Sequence, residues 1–257
     1  SIQDFRNYSC DNISPKSLYK EKQLSVIAYH INNKMPDNQN DLNEVIETLA
    51  LDCSISTRKL LQSYIDLLFR WHEKNNILST RDKEYFIKRD LFDSLSMLKD
   101  LPSGNLLDIG TGAGIPGMLI SFFRSDSHVT LLDRRDNAIR FLEHAKLKLG
   151  INNVSIIKSD AKKMNIESSL NAILIKNFSN KIISKLNFED KLLHIIGMIR
   201  NRIKDSVPIY MLTGSVALCM NDISKEFIDV SQSSFSVKKL DTPYFDTNRY
   251  LLVINHA

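Results

Sequence analysis

The chain of 257 residues is 43% hydrophobic and 25% charged, enough to bury a sizeable core in one domain or in a domain with a substantial appendage. Its net charge of +4 is compatible with a polyanionic partner but far too small to demonstrate one. Cys10, Cys53 and Cys219 are isolated and the six histidines are scattered, which argues against a disulfide framework and against a metal site built from sequence-adjacent ligands. With no apolar run near the roughly 20 residues of a membrane span and no signal-peptide core, the expected location is the cytoplasm.

Residues 1–40 are polar, rich in Asn and Lys and broken by Pro15 and Pro36, and read as an N-terminal extension with one apolar stretch at 24–31. A helical section follows over 41–100. Leu42, Val45, Ile46 and Leu49 recur at helical spacing, a long amphipathic helix runs from about Leu60 to Glu73, and residues 82–99 read as a further helix. From residue 101 strands and helices alternate. Strands are expected at 106–109, 128–132, 154–157, 172–175 and 208–212, and helices at 116–123, 135–149, 188–203 and 216–227. Two further strands, 235–240 and 250–254, close the chain as an antiparallel hairpin. This order predicts an α/β fold with a mostly parallel sheet covered on both faces, and the terminal hairpin favours a seven-stranded, Rossmann-like class I methyltransferase domain over a dinucleotide dehydrogenase.

The chemistry concentrates where the first strand hands over to a helix, in Leu106-Leu107-Asp108-Ile109-Gly110-Thr111-Gly112-Ala113-Gly114. Glycines there permit a tight turn and let the backbone approach a ligand. A glycine loop alone is weak evidence, but three companions sharpen it. Asp108 can attract an ammonium and would be a poor neighbour for a pyrophosphate. Asp133, at the end of the second strand, can accept both hydroxyls of a ribose, although an isolated Asp there is more often a helix cap. After the third strand, Asp160 and Ala161 can meet an adenine edge, with a capping role equally open for Asp160. Together they suit a nucleoside with a positively charged tail, and S-adenosyl-L-methionine is the expected cofactor.

From about Leu42 to its end the chain resembles the bacterial small-subunit ribosomal RNA guanine-N7 methyltransferases, also called glucose-inhibited division protein B. Trp71-His72-Glu73-Lys74-Asn75-Asn76-Ile77 resembles the family's Trp-Asn-x-x-x-Asn-Leu, and Asp90-Leu91-Phe92-Asp93-Ser94-Leu95 its His-x-x-Asp-Ser-Leu. The glycine loop continues through Ile115-Pro116-Gly117 as the family's does, a more specific match than the loop alone. Leu131-Leu132-Asp133 with Arg140-Phe141-Leu142 follows the family spacing too. The resemblance implies N7 methylation of a guanine in small-subunit ribosomal RNA, ribosomal RNA or the small subunit as partner, a monomer, and Pro116 and Lys176 beside the cofactor.

Three positions depart from the pattern. Asp90 stands where the family has His, Ser159-Asp160-Ala161-Lys162 replaces Gly-Arg-Ala-Glu, and Ile175-Lys176-Asn177-Phe178 replaces Ser-Arg-Ala-Phe. Lys176 keeps a cation but loses the arginine fork. The departures leave a different acceptor, a small molecule or protein, or an inactive cofactor-binding paralogue as alternatives. Guanine N7 carries a free lone pair and no proton to lose, so no dedicated base is expected and no catalytic residue is singled out. A missing Pro-Cys pair argues against cytosine carbon-5 methylation, and the motif of exocyclic amine methylation is absent after the fourth strand. Phe178 is an aromatic placed to stack on a base or to fill the core. Lys88, Arg89, Arg134 and Arg135 adjoin the family-like motifs and are the expected RNA phosphate contacts.

Overall fold

The computed structural model describes residues 38–256 apart from 167–168, 177–185, 204 and 215–224. The apolar stretch at 24–31, Cys10, Cys219, Asn177, Phe178 and most of the helix expected at 216–227 lie outside the described residues. Residues Asp41–Ala257 form one compact unit.

Helix α1 (Asn38–Thr48) leads into α2 (Ile55–Asn75). Ser54 caps α2 by accepting from the Thr57 amide at 3.0 Å, and Asn76 ends it in a left-handed conformation. Leu61, Tyr64, Ile65 and Leu68 are fully buried at the spacing of one helix face.

The single helix expected over 82–99 is replaced by a segmented run. A short α turn, α3 (Lys83–Tyr85), passes into a π-helix at Phe86–Leu91, then α4 (Phe92–Ser96) and a 3₁₀ turn at Leu98–Asp100. The apolar period satisfies an α-helix, but the Asp90 carbonyl is shared: it accepts from the Ser94 hydroxyl at 2.6 Å and from the Lys176 ammonium at 2.9 Å. Side chains entering the backbone ladder are a recognised cause of such local widening.

The sheet follows: β1 (Gly104–Ile109), α5 (Gly117–Phe123), β2 (Ser127–Asp133), α6 (Asp136–Leu149), β3 (Val154–Lys158), β4 (Ala172–Lys176), α7 (Phe188–Arg200), β5 (Ile209–Thr213), α8 (Lys225–Ser231), β6 (Ser233–Leu240) and β7 (Arg249–His256). The strand order is β3-β2-β1-β4-β5-β7-β6, with β1 to β5 parallel and β7 antiparallel to both of its neighbours. This is the seven-stranded class I methyltransferase architecture that the order of elements predicts.

Alternate residues of the central strands feed two cores. Leu106, Val129, Leu131 and Leu174 share one with Leu61, Tyr64, Leu68, Phe86, Phe92 and Phe141, so the preceding helices and the sheet bury a common apolar surface. Leu107, Ile109, Leu132, Ile173 and Ile175 pack on the other side against Leu192, Ile195 and Ile199 of α7. The carboxyl ends of β1, β2, β4 and β5 are thereby brought to one edge, where ligands of open α/β sheets bind.

Candidate functional site

At the end of β1 the chain turns through three glycines with positive φ: Gly110 (75°), Gly112 (60°) and Gly114 (84°). At Gly114 a Cβ would lie 2.6 Å from Met118 Cβ, so helix α5 can only approach a residue without a side chain. The loop is pinned from both sides. Gly110 and Thr111 amides donate to the Leu132 carbonyl at 2.8 and 3.1 Å. From α2, the buried Tyr64 hydroxyl donates to the Ala113 carbonyl. That contact explains why the helical section matters to the loop: it holds the turn from beneath.

Asp108 is the loop's internal clamp. Only 1% exposed, it accepts through Oδ2 from Thr111 Oγ1 at 2.6 Å and from the Gly117 amide at 2.8 Å. Its other oxygen, Oδ1, is buried without a hydrogen-bond partner. Burial pushes the carboxyl up to about 6, against the hydrogen bonds from Thr111 and Gly117; Asp133 adds to the rise and Lys176 opposes it. The ammonium attraction read from the sequence therefore rests on a carboxylate within the turn rather than on its surface.

Asp133 stands beside the loop, its Oδ2 accepting from the Gly112 amide at 2.9 Å. Burial raises it, but the side-chain and amide hydrogen bonds from Arg135 and the Gly112 amide outweigh this and hold it below the ordinary range. The Arg135 guanidinium folds back on this carboxylate, with Nε 3.2 Å from Oδ1 and Nη2 3.2 Å from Oδ2. Arg135 is thus engaged at the cofactor edge while its side chain stays 57% exposed to solvent. The Ser159 amide donates to the Asp133 carbonyl at 3.1 Å, which carries Asp160 to the same edge. Asp160 caps the 3₁₀ turn Ala161–Lys163, accepting from the Lys162 amide at 2.9 Å, and leaves Oδ2 3.7 Å from Arg134. Ala161 is buried.

These residues fit S-adenosylmethionine. The side-chain-free Gly110–Gly112–Gly114 turn, the Asp133 and Asp160 carboxylates at its flank and the orphaned Asp108 oxygen supply backbone access, hydroxyl acceptors and negative potential for a cationic tail.

Two expected positions are placed otherwise. Lys176, at the end of β4, has a side chain only 4% exposed, and its ammonium donates to the Asp90 carbonyl at 2.9 Å, to Ser94 Oγ at 3.1 Å and to Asp90 Oδ1 at 3.3 Å. Its donors are spent on the helical section, so it acts on the cofactor edge only through its charge. Lys88 is likewise enclosed by Asp41, Glu44 and Glu84 at 3.3, 3.6 and 3.1 Å, leaving no free ammonium for a phosphate. The Lys176 cluster shows that two of the sequence departures are one: Asp90 and Lys176 contact each other.

Around that pair lies a group the sequence reading missed. Asp93, 2% exposed, receives a two-pronged hydrogen bond from Arg249 at 2.9 and 2.6 Å and lies 3.6 Å from Lys176. Arg249 opens β7, 156 positions from Asp93, and no local pattern announces the pairing. Tyr64 lies within the amphipathic helix expected from about Leu60 to Glu73, with nothing local to mark its contact with the loop.

The family described as rRNA small subunit methyltransferase G (GidB) matches residues 57–200. The Ribosomal RNA small subunit methyltransferase G of Acinetobacter baylyi is 32% identical over 83% of this chain and 95% of its own length. That of Methylobacillus flagellatus is 33% identical over 55% of this chain and 69% of its own.

Proposed function

From the premise that the chain belongs to the rRNA small subunit methyltransferase G family and is an S-adenosylmethionine-dependent methyltransferase, we propose that it methylates N7 of a guanine in small-subunit ribosomal RNA. The observation that carries this reading is the family's glycine loop beside an acceptor edge where the two departures, Asp90 and Lys176, meet in direct contact. Both sit at the carboxyl ends of adjacent parallel strands, β1 and β4.

When bound, S-adenosylmethionine supplies an electrophilic methyl group on a sulfonium. The chain's own contribution is position and field. The backbone of Gly110, Thr111, Gly112 and Gly114, with Pro116 setting the exit into α5, lets the cofactor lie close. Asp133 would accept from the ribose hydroxyls in place of the Arg135 side chain, and Asp160 with Ala161 would border the adenine. Asp108 biases the loop toward the cationic tail from within. Guanine N7 has no proton to lose, so no side chain needs to remove one, and orientation with exclusion of water lowers the barrier. Arg134 and, once displaced from Asp133, Arg135 are the cations left to meet phosphate beside this edge.

The test is methyl transfer from tritiated S-adenosylmethionine to purified small ribosomal subunits and to their deproteinised RNA. Label retained on RNA supports the reading. Label on protein, or none at all while S-adenosylhomocysteine still binds, contradicts it.

A further inference from the structure

The rim of the acceptor edge carries a second feature, built from the π-helix with the residue before it and from the turn between β6 and β7. Leu240 pairs with Arg249 at that turn, and Tyr250 pairs with Thr213, so the turn lies at the carboxyl end of β5. Arg249, fixed by Asp93, places its guanidinium carbon 5.5 Å from the Phe245 ring. The guanidinium carbon of Arg89 lies 5.7 Å from the same ring and 5.0 Å from the Tyr85 ring. Among the described residues no carboxylate pairs with Arg89, in contrast to its neighbour Lys88 with three. Arg89 is exposed, and both Tyr85 and Phe245 are partly so.

An exposed guanidinium packed near two partly exposed rings, with no carboxylate on it, leaves N–H donors for a phosphate and ring surface for a base. That pairing of features suits a nucleotide in a single strand, whose base has a π face and whose phosphate accepts the fork. A solvated charged surface would need neither ring. We propose that Tyr85, Arg89 and Phe245 form a platform on which a nucleotide flanking the target guanine stacks, its phosphate met by Arg89. The chain of contacts from Lys176 through Asp93 and Arg249 to Phe245 ties this platform to the end of β4, so the strand is gripped at a fixed place beside the cofactor edge. The proposal rests on the RNA reading above.

The experiment measures methyl transfer to small-subunit RNA by the full chain and by Arg89→Ala, Phe245→Leu and Phe245→Tyr. Phe245→Leu keeps apolar bulk and loses the ring; Phe245→Tyr restores it. Arg89→Ala and Phe245→Leu are expected to raise KM for RNA by about five- to fifty-fold with kcat at saturating RNA little changed, and Phe245→Tyr to recover it. Arg89→Ala also lowers the slope of log affinity against log salt by about 1. Thermal midpoint and S-adenosylhomocysteine affinity, read in parallel, stay at the parent values if the variants fold. RNA affinity and KM unchanged in both loss variants overturn the platform while leaving the acceptor assignment standing. A parent protein that neither binds nor methylates RNA overturns the acceptor assignment, and the platform with it.

Discussion

The cofactor edge and the acceptor edge meet at the ends of neighbouring strands, yet they are built in opposite ways. At the cofactor edge charge is left partly unpaired: Asp108 keeps a buried oxygen without a partner, and the only side chain on Asp133, beside the Gly112 and Arg135 amides, is the exposed Arg135. At the acceptor edge charge is closed upon charge, with the buried Lys176 and Asp93 joined to the partly exposed Asp90 and Arg249 in one group. The first edge is prepared to take a ligand into its own hydrogen-bonding set. The second is a rigid wall whose role is to hold position, with contact to the acceptor left to what lies on its rim.

The sharpest way to break this contrast is Asp93→Ala, which leaves Arg249 without its carboxylate and Lys176 with Asp90 and Ser94 alone. Loss of one partner of such a group destabilises by about 3–5 kcal/mol. Urea unfolding should show that loss, whereas an Asp93 variant as stable as the parent would mean that the wall is not a structural unit.

Asp108→Asn acts on the other edge. Because the folded carboxyl titrates near 6 and an unfolded one near 4, ionising it costs the folded state stability as pH rises across that interval. The difference is about 2–3 kcal/mol. The Asn variant removes this loss, so between pH 4 and 7 its melting temperature should fall less with rising pH than that of the parent. Parallel curves for the two proteins would place the titration elsewhere.

Asp133→Ala comes next, removing charge-assisted hydrogen bonds worth about 1.5–3 kcal/mol each. Calorimetry should record S-adenosylhomocysteine binding weakened by about ten- to a hundred-fold, with RNA affinity unaltered. Smallest is Arg135→Ala. An exposed ion pair contributes about 0–1 kcal/mol, so freeing Asp133 from it should tighten S-adenosylhomocysteine binding by no more than about fivefold. A large loss of affinity instead would make Arg135 a cofactor ligand rather than a cover.

The same contrast decided what could be read from the sequence. The glycine loop and Asp133 were legible because their partners are close along the chain: Asp108 reaches Thr111 and Gly117, and Gly112 reaches Asp133, within 21 positions. The sheet order was legible because the strands alternate with helices and the last two form a hairpin. The Lys176 cluster was not, since its members come from positions 82 to 156 apart and each looks like an ordinary surface charge. The π-helix was hidden because Ile87, Leu91 and Leu95 satisfy an α period, while the lysine that shares the Asp90 carbonyl comes from a distant strand. Phe245 sits in a turn with no periodicity to mark it. Lys88, expected at RNA phosphate, and Lys176, expected beside the cofactor, both meet carboxylates within the fold, because charge in a sequence does not reveal whether its counter-charge is already there.

The central claim is best tested by the product. Small-subunit RNA incubated with the protein and S-adenosylmethionine should, after digestion to nucleosides, yield 7-methylguanosine by mass spectrometry, approaching one per RNA at a single position. Methylation at another base or atom, or RNA left unmodified by a protein that binds S-adenosylhomocysteine, would contradict the account.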